Sequence, residues 1–184
     1  SGYTDIALGI ALMFGFILPI NFFSPFKAKN ISEFWICWHI TLSNLVRNYL
    51  YFPLSMYFSR LSVIKNFGFA EDFLLSLMIP TLISFALIGL WHGAGWNFIL
   101  FGVINGFYII IFNLWKNFKN NHLKENKNNF KDFFAQLITF LSVVLALIVF
   151  RSNSIESSLE YFKAIFGFGK LDLIDLFQVG LFAS

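Results

Sequence analysis

The feature that most constrains the fold is the stretch from Phe73 to Trp115, which contains no Asp, Glu, Lys or Arg. It has room for two helices of about 20 residues, the length that crosses a hydrocarbon core. The whole chain is only 12% charged, whereas a soluble domain averages about a quarter. We therefore expect an all-α, polytopic integral membrane protein in which spanning helices are accompanied by re-entrant or amphipathic helices.

Apolar runs and polar gaps divide the chain into segments. The predicted spanning helices are Phe73–Trp91, Trp96–Trp115 and Phe133–Phe150, and Ile6–Ile20 is long enough for most of a further crossing. The gap Lys116–Asp132 is rich in Lys and Asn and predicts a solvated loop. Ser154–Phe166 predicts a short amphipathic helix, and a further apolar element begins at Leu171.

A shorter helix is predicted to begin near Asn30, because Asn30 and Glu33 have the spacing of a capping box. Apolar residues then recur at helical spacing as far as Tyr49, and Pro53 predicts the end of the helix. This segment is too polar to span a membrane, so we expect it to be amphipathic or re-entrant.

The basic residues indicate an orientation. The gaps 60–72 and 116–132 hold most of the lysines and arginines, and two spans lie between them, so the positive-inside rule assigns both to the cytoplasm. Confined to gaps, these residues do not predict nucleic-acid binding, despite a net charge of +3. The first apolar run begins almost at Ser1, without a basic flank or an initiating Met. We therefore expect no signal peptide and a chain that is part of a longer protein.

The strongest candidate for chemistry is His92, in the sequence Gly89-Leu90-Trp91-His92-Gly93-Ala94-Gly95-Trp96-Asn97. An ionisable group at membrane depth marks a functional site by default, and histidine exchanges protons near neutral pH. The three glycines let backbone or ligand approach closely. The structural alternative is a histidine that bridges helices at a turn.

Other polar residues have two interpretations each. His39 could converge with His92 as a base and an orienting group, or it could be an interface histidine that pairs with Ser43 or a backbone carbonyl. Arg47, beside Tyr49 and Tyr51, could bind a phosphate or carboxylate, or extend toward water, as could Arg151. The single cysteine, Cys37, excludes an internal disulfide, and Cys37 with His39 does not complete a metal site; we predict no metal.

Several stretches in this order resemble the membrane-bound O-acyltransferases, and most of all the branch of the alginate O-acetylation membrane subunit, related to the D-alanine transfer protein of lipoteichoic acid. These stretches are Ser1–Ala7, Phe34–Leu54, Gly89–Phe98, Val149–Arg151 and Tyr161–Gly167. The family usually has basic residues where Ile36 and Cys37 stand, and often Asp where Asn48 stands. The resemblance implies that residues 1–184 are the C-terminal part of a single membrane domain whose N-terminal helices are missing.

The resemblance also implies roles for individual residues. His92 would be the catalytic histidine and His39 a second functional histidine. Substrate would be bound by aromatic, amide and basic side chains: Trp35, Trp38, Trp91, Trp96, Asn97 and Arg47.

The implied activity is transfer of an acyl group, expected to be acetyl, from a cytoplasmic thioester such as acetyl-CoA to a hydroxyl at the outer face. No bound cofactor is expected. The acceptor would be an exopolysaccharide of the alginate kind or peptidoglycan, reached through a periplasmic partner, and the location the bacterial inner membrane. Two alternatives from the residues stay open: a proton-coupled transporter or channel using His39 and His92, and a fragment without activity of its own.

Overall fold

The computed structural model describes residues 2–122 and 129–168. Within these ranges the regular secondary structure is all helical, as predicted. The α-helices are α1 Gly2–Met13, α2 Ile31–Cys37, α3 Ile40–Val46, α4 Phe52–Lys65, α5 Phe69–Phe73, α6 Ile79–His92, α7 Trp96–His122, α8 Asn129–Arg151 and α9 Ile155–Ile165. Wider π-helical segments, Arg47–Tyr51 and Leu74–Met78, join α3 to α4 and α5 to α6, and Pro25–Lys27 forms a 3-10 turn.

Three helical stretches are long and apolar enough to cross a membrane: Phe69–His92, Trp96–Lys119 and Phe130–Arg151. They confirm the three predicted spans to within a few residues. Because the chain turns back after His92, these stretches put residues 60–72 and the region around Lys119 at one end of the bundle, the lysine end. His92 and Arg151 lie at the other, the histidine end.

The further crossing suggested for Ile6–Ile20 is wrong, because α1 ends at Met13 instead of continuing to Ile20. Gly15 adopts the left-handed conformation (φ +80°). Its N–H donates to the Leu12 carbonyl and that of Phe16 donates to the Ala11 carbonyl. This pair of bonds is a Schellman motif, which terminates a helix. The resulting helix of 12 residues is shorter than a crossing.

The helix predicted from Asn30 begins as expected, since the Asn30 side chain accepts a hydrogen bond from the Glu33 N–H. Its predicted continuation to Tyr49 is wrong. The helix breaks at Trp38 and His39, and His39 is left-handed (φ +44°). Asn21 caps the new start: its carbonyl accepts from Ile40 N–H and its side-chain oxygen from Thr41 N–H, each at 3.0 Å.

Pro53 does not end this helix, contrary to prediction. The π-helical segment Arg47–Tyr51 precedes it, and the Phe52 N–H reaches back five residues to the Arg47 carbonyl. The second π-helical segment, Leu74–Met78, precedes Pro80 in the same way. Proline has no N–H for the carbonyl four residues earlier. At Pro80 that carbonyl belongs to Ser76, and the Ser55 hydroxyl donates to it instead, at 2.6 Å.

The predicted loop Lys116–Asp132 is also partly wrong, because α7 continues to His122 and α8 already begins at Asn129. The amphipathic helix near Ser154 is confirmed as α9, with Ser154 accepting a hydrogen bond from Ser157 N–H as its N-cap. The element predicted from Leu171 onward lies outside the described residues.

The glycines of α6 and α7 let these two helices pack with their backbones close together. A Cβ atom added to Gly102 would lie 2.1 Å from the Phe85 carbonyl oxygen, and one added to Gly89 would lie 2.1 Å from that of Phe98. Small residues at such contacts are the usual means of helix association in membranes. The buried core adjoins this interface and includes Ile31, Phe34, Trp35, Ile88, Phe101, Val143 and Ala146.

Candidate functional site: two histidines and an adjoining cavity

His92 is the last residue of α6, and the glycine-containing turn 93–95 leads directly into α7. Its half-buried imidazole lies among three aromatic rings, with centroid distances of 4.9 Å to Trp91, 4.9 Å to Phe150 and 6.4 Å to Phe101. Phe150 is near the end of α8, so three spanning helices or their ends meet around this histidine. The rings around this imidazole are apolar.

His39 comes to the same place from the break between α2 and α3. Its ring centroid is 5.6 Å from that of Trp91 and 5.8 Å from that of Phe22. The Trp91 indole thus contacts both imidazoles. The left-handed backbone of His39 makes this possible, because the break turns the chain here.

The Nδ1 atom of His39 is buried and has no hydrogen-bond partner within the described part of the chain. The alternative in which His39 pairs with Ser43 is wrong, since the Ser43 hydroxyl donates to the Trp38 carbonyl at 3.1 Å. A ring nitrogen without a partner can bind a hydroxyl, a carbonyl or a water molecule, depending on its protonation.

Asn97 connects α7 to the end of α8. Its buried amide nitrogen donates to the Ser152 carbonyl at 2.8 Å and lies 3.4 Å from the Phe150 carbonyl. Because the Phe150 ring packs against His92, this bond fixes one wall around the histidine. The predicted substrate contact of Asn97 stays a prediction; the structure shows a positioning role that the sequence did not reveal.

The four tryptophans predicted to bind substrate separate into two pairs. Trp35 is buried against Phe85, at 5.0 Å between centroids, and Trp38 stacks on Phe34 at 5.5 Å. Trp91 and Trp96 are instead 61% and 75% exposed at the histidine end. Trp91 therefore contacts both histidines, whereas Trp35 and Trp38 pack against phenylalanines of the interior.

A cavity of about 290 Å³ has α2, α3 and the π-helical segment Arg47–Tyr51 on one side and α6 and α7 on the other. Residues from all these elements line it: Ser32, Trp35, Ile36, Ser43, Asn44, Val46, Arg47, Tyr51, Thr81, Ser84, Phe85, Ile88, Ile109 and Asn113. Arg47 lines it together with Tyr51 and donates to the Asn44 side chain at 2.8 Å, while Tyr49 is exposed outside it. Of the predicted anion-binding group, only Arg47 and Tyr51 thus come together.

The cavity contains a polar group that sequence reasoning missed. The hydroxyl of Ser84 is buried and lacks a hydrogen-bond partner among the described residues, as does the indole N–H of Trp35. A signal was present: Thr81, Ser84 and Ile88 lie on the same face of α6 as His92, at spacings of three and four. Polar residues on that face of an apolar span point to a lined cavity.

No group of three or more His, Cys, Asp or Glu residues suited to a metal ion occurs in the ranges that the structure describes. The chemistry available from these residues is proton transfer by imidazole and hydrogen bonding by indole, hydroxyl and amide groups.

Comparison with known proteins identifies relatives along nearly the whole chain. A peptidoglycan O-acetyltransferase of Helicobacter pylori is 37% identical over 96% of this chain and 30% of its own length. A probable alginate O-acetylase, AlgI, of Pseudomonas aeruginosa is 33% identical over 98% of this chain and 31% of its own. A teichoic acid D-alanyltransferase of Streptococcus thermophilus is 28% identical, over 82% and 37% respectively.

The chain thus spans about a third of the length of these curated relatives. The sequence profile of the membrane-bound O-acyltransferase family matches residues 1–155, which include both histidines and the cavity. The predicted resemblance is confirmed: this chain belongs to the membrane-bound O-acyltransferase family.

Proposed function

We propose that the protein containing this chain is a membrane O-acyltransferase that modifies a cell-envelope polymer. The observation that carries the proposal is the convergence of His39 and His92 on Trp91 at the end of an apolar helix. The named activities of the relatives support it, since they are O-acetylation of peptidoglycan or alginate and D-alanylation of teichoic acid.

In the proposed reaction, His92 acts as the general base. Its imidazole takes the proton from an acceptor hydroxyl, and the hydroxyl oxygen forms a bond to the thioester carbonyl carbon. The carbon–sulfur bond then breaks, and the thiolate leaves with the proton returned from His92. In this proposal the rings of Trp91, Phe101 and Phe150 limit the access of water from their side of His92, since water would hydrolyse the thioester.

His39 would bind or orient the reacting groups in this scheme. Its buried Nδ1 has no partner in the described residues, so it is available to a hydroxyl or carbonyl of the substrate. Trp91 keeps both imidazoles at the same site. We assign His39 a role in positioning and His92 the proton transfer, because His92 lies at the meeting point of α6, α7 and α8.

The donor and acceptor are proposed to enter from opposite sides of a bacterial inner membrane. The basic residues at the lysine end favour a cytoplasmic location for that end, and hence for a thioester donor such as acetyl-CoA. The acceptor, an exopolysaccharide, peptidoglycan or a carrier on a periplasmic partner, would reach the histidine end. Residues 1–184 would form the C-terminal part of the membrane domain.

The test uses the full-length protein in membranes supplied with acetyl-CoA labelled in the acetyl group. We expect label in an envelope polymer or carrier, and we expect His92→Ala to lower its rate of appearance about 10³-fold, within the range for a lost general base. The matched control is His122→Ala, a histidine at the far end of α7, which should leave transfer unchanged.

Equal transfer by wild type and His92→Ala would remove His92 from the mechanism. Absence of transfer, together with proton-driven flux that depends on both histidines, would favour the transporter alternative.

A further inference from the structure

Two hydrogen-bond donors in the cavity lack a partner among the described residues. Trp35 is 8% exposed and Ser84 is 4% exposed, yet neither the indole Nε1 nor the hydroxyl Oγ has a partner in the part of the chain that the structure describes. Buried polar groups in native proteins are almost always paired, with protein, water or a ligand. Both residues line the same cavity, so a single occupant can satisfy both.

The cavity lies beside α6, about one to three turns before His92, because Ile88, Ser84 and Thr81 line it. Asn113 of α7 lines the part of the cavity nearer the lysine end. The Phe101 ring, about three turns earlier on α7, contacts His92. The 12 residues between them correspond to roughly 18 Å of helix. On α6, Ser84 precedes His92 by eight residues, roughly 12 Å along the axis. Trp35 is beside the same turn, because its ring contacts that of Phe85.

These dimensions suit an extended chain with amide groups. The arm of a pantetheine thioester has about 12 bonds from its phosphate oxygen to its sulfur, which spans roughly 14 Å at the reach of an extended peptide. Its farther amide carbonyl is eight bonds from the sulfur, or roughly 9 Å. With the sulfur a few ångströms from His92, this carbonyl comes to the level of Ser84.

We propose that Trp35 and Ser84 are specificity-determining residues that donate hydrogen bonds to the farther amide of the acyl donor's pantetheine arm. This inference rests on the proposed function, because it assumes a thioester donor. An amide carbonyl has two lone pairs and accepts from an N–H and an O–H at once. Because both donors are buried, an arm without that amide leaves them unpaired, which selects against it.

The experiment measures binding without turnover, in the full-length protein carrying His92→Ala. The probes are S-ethyl-pantetheine and an analogue in which the farther amide is replaced by two methylene groups. Ser84→Ala and Trp35→Phe each remove one donor. Ser84→Thr keeps the hydroxyl, and Ser62→Ala is the control at a buried serine outside the cavity lining.

We expect Ser84→Ala and Trp35→Phe to raise the Kd of S-ethyl-pantetheine about three- to tenfold, the value of one hydrogen bond. Neither should change the Kd of the methylene analogue, and Ser84→Thr should retain most of the affinity. Equal losses for the two probes, no loss for either, or no binding of S-ethyl-pantetheine would overturn the assignment. Water as the sole occupant gives the last two results.

The assay also separates this inference from the proposed function. The expected binding pattern without His92-dependent transfer would leave the donor site standing and refute the acyltransferase mechanism. His92-dependent transfer without the expected binding pattern would support the acyltransferase mechanism and refute the donor site at Trp35 and Ser84.

Discussion

The two ends of the spanning bundle are built in opposite ways. At the histidine end, α6 and α7 are in backbone contact across Gly89, and Asn97 bonds α7 to the end of α8. At the lysine end, α7 and α8 border an open groove of about 520 Å³, and the Lys29–Asp132 ion pair is half exposed. Close packing is thus concentrated where reacting groups must be held within fractions of an ångström.

The strongest test of this contrast is Gly102→Ala. The new Cβ would lie 2.1 Å from the Phe85 carbonyl oxygen and 2.8 Å from its carbon, so α6 and α7 must separate. Overpacking costs about 1–3 kcal/mol, and a rigid backbone neighbour favours the upper part of that range. We expect a markedly lower yield of folded protein and little transfer activity. The measurements are thermal unfolding of the protein in detergent and the transfer of labelled acetyl groups.

The matched control is Gly9→Ala, because a Cβ at Gly9 in α1 meets no atom within 4 Å in the described structure. If both variants behave like wild type, the two helices do not depend on this contact.

An intermediate effect is expected from Asn97→Ala. The change removes the bond to Ser152 and leaves that carbonyl without its amide partner, at a cost of about 1–3 kcal/mol. It also frees the Phe150 ring beside His92, so we expect transfer to fall about tenfold, by analogy with the large cost of small misplacements. Rates and unfolding temperatures of the purified variant provide the measurement.

Asn105→Ala is the comparison, since the buried Asn105 amide donates within its own helix, to the Phe101 carbonyl. It should reduce stability without a comparable loss of rate per folded molecule. A larger rate loss at Asn105 than at Asn97 would contradict the positioning role.

The smallest effect belongs to the lysine end. The hydrogen bond and charge of Asp132 raise the pKa of Lys29 above its ordinary value. The stabilisation is therefore complete below the unfolded-state pKa of lysine and is lost as the pH rises through the higher folded-state value. Because the pair is exposed, Lys29→Met should scarcely change transfer at pH 7.

Unfolding temperatures of wild type and Lys29→Met, measured at pH 8 and in strong alkali, provide the test. A small difference at pH 8 should disappear in alkali. A difference that grows with pH would contradict the assigned direction of the shift.

The parts of the fold that depend on local composition could be predicted from the sequence. The three spans follow from hydropathy, the start of α2 from the Asn30 capping box, and the close approach at Gly89 from the lack of a side chain. The family resemblance singled out His92 and His39. None of these predictions needed knowledge of distant contacts.

The remaining features depend on partners far away in sequence. The break before α3 relies on Asn21, which caps it from another segment, so the helical periodicity through residue 39 was misleading. The bond from Asn97 to the end of α8 was not foreseen, because its partner, Ser152, is 55 residues away. Ser84 was overlooked because one serine in an apolar span has no meaning until a cavity is found beside it.

The π-helical segment Leu74–Met78 has a consequence for how this chain tolerates changes in length. Its Ile79 N–H bonds five residues back instead of four, which accommodates one residue more than an α-helix would. Successive residues of an α-helix are rotated by about 100° around the helix axis. A deletion of one residue within this segment would convert it to an α-helical turn and keep the Ser84–His92 face in place, whereas a deletion between Ile79 and Ser84 would rotate that face by about 100° relative to α5. The direction in which this face points therefore depends on where the chain gains or loses a residue, and a hydropathy profile does not record it.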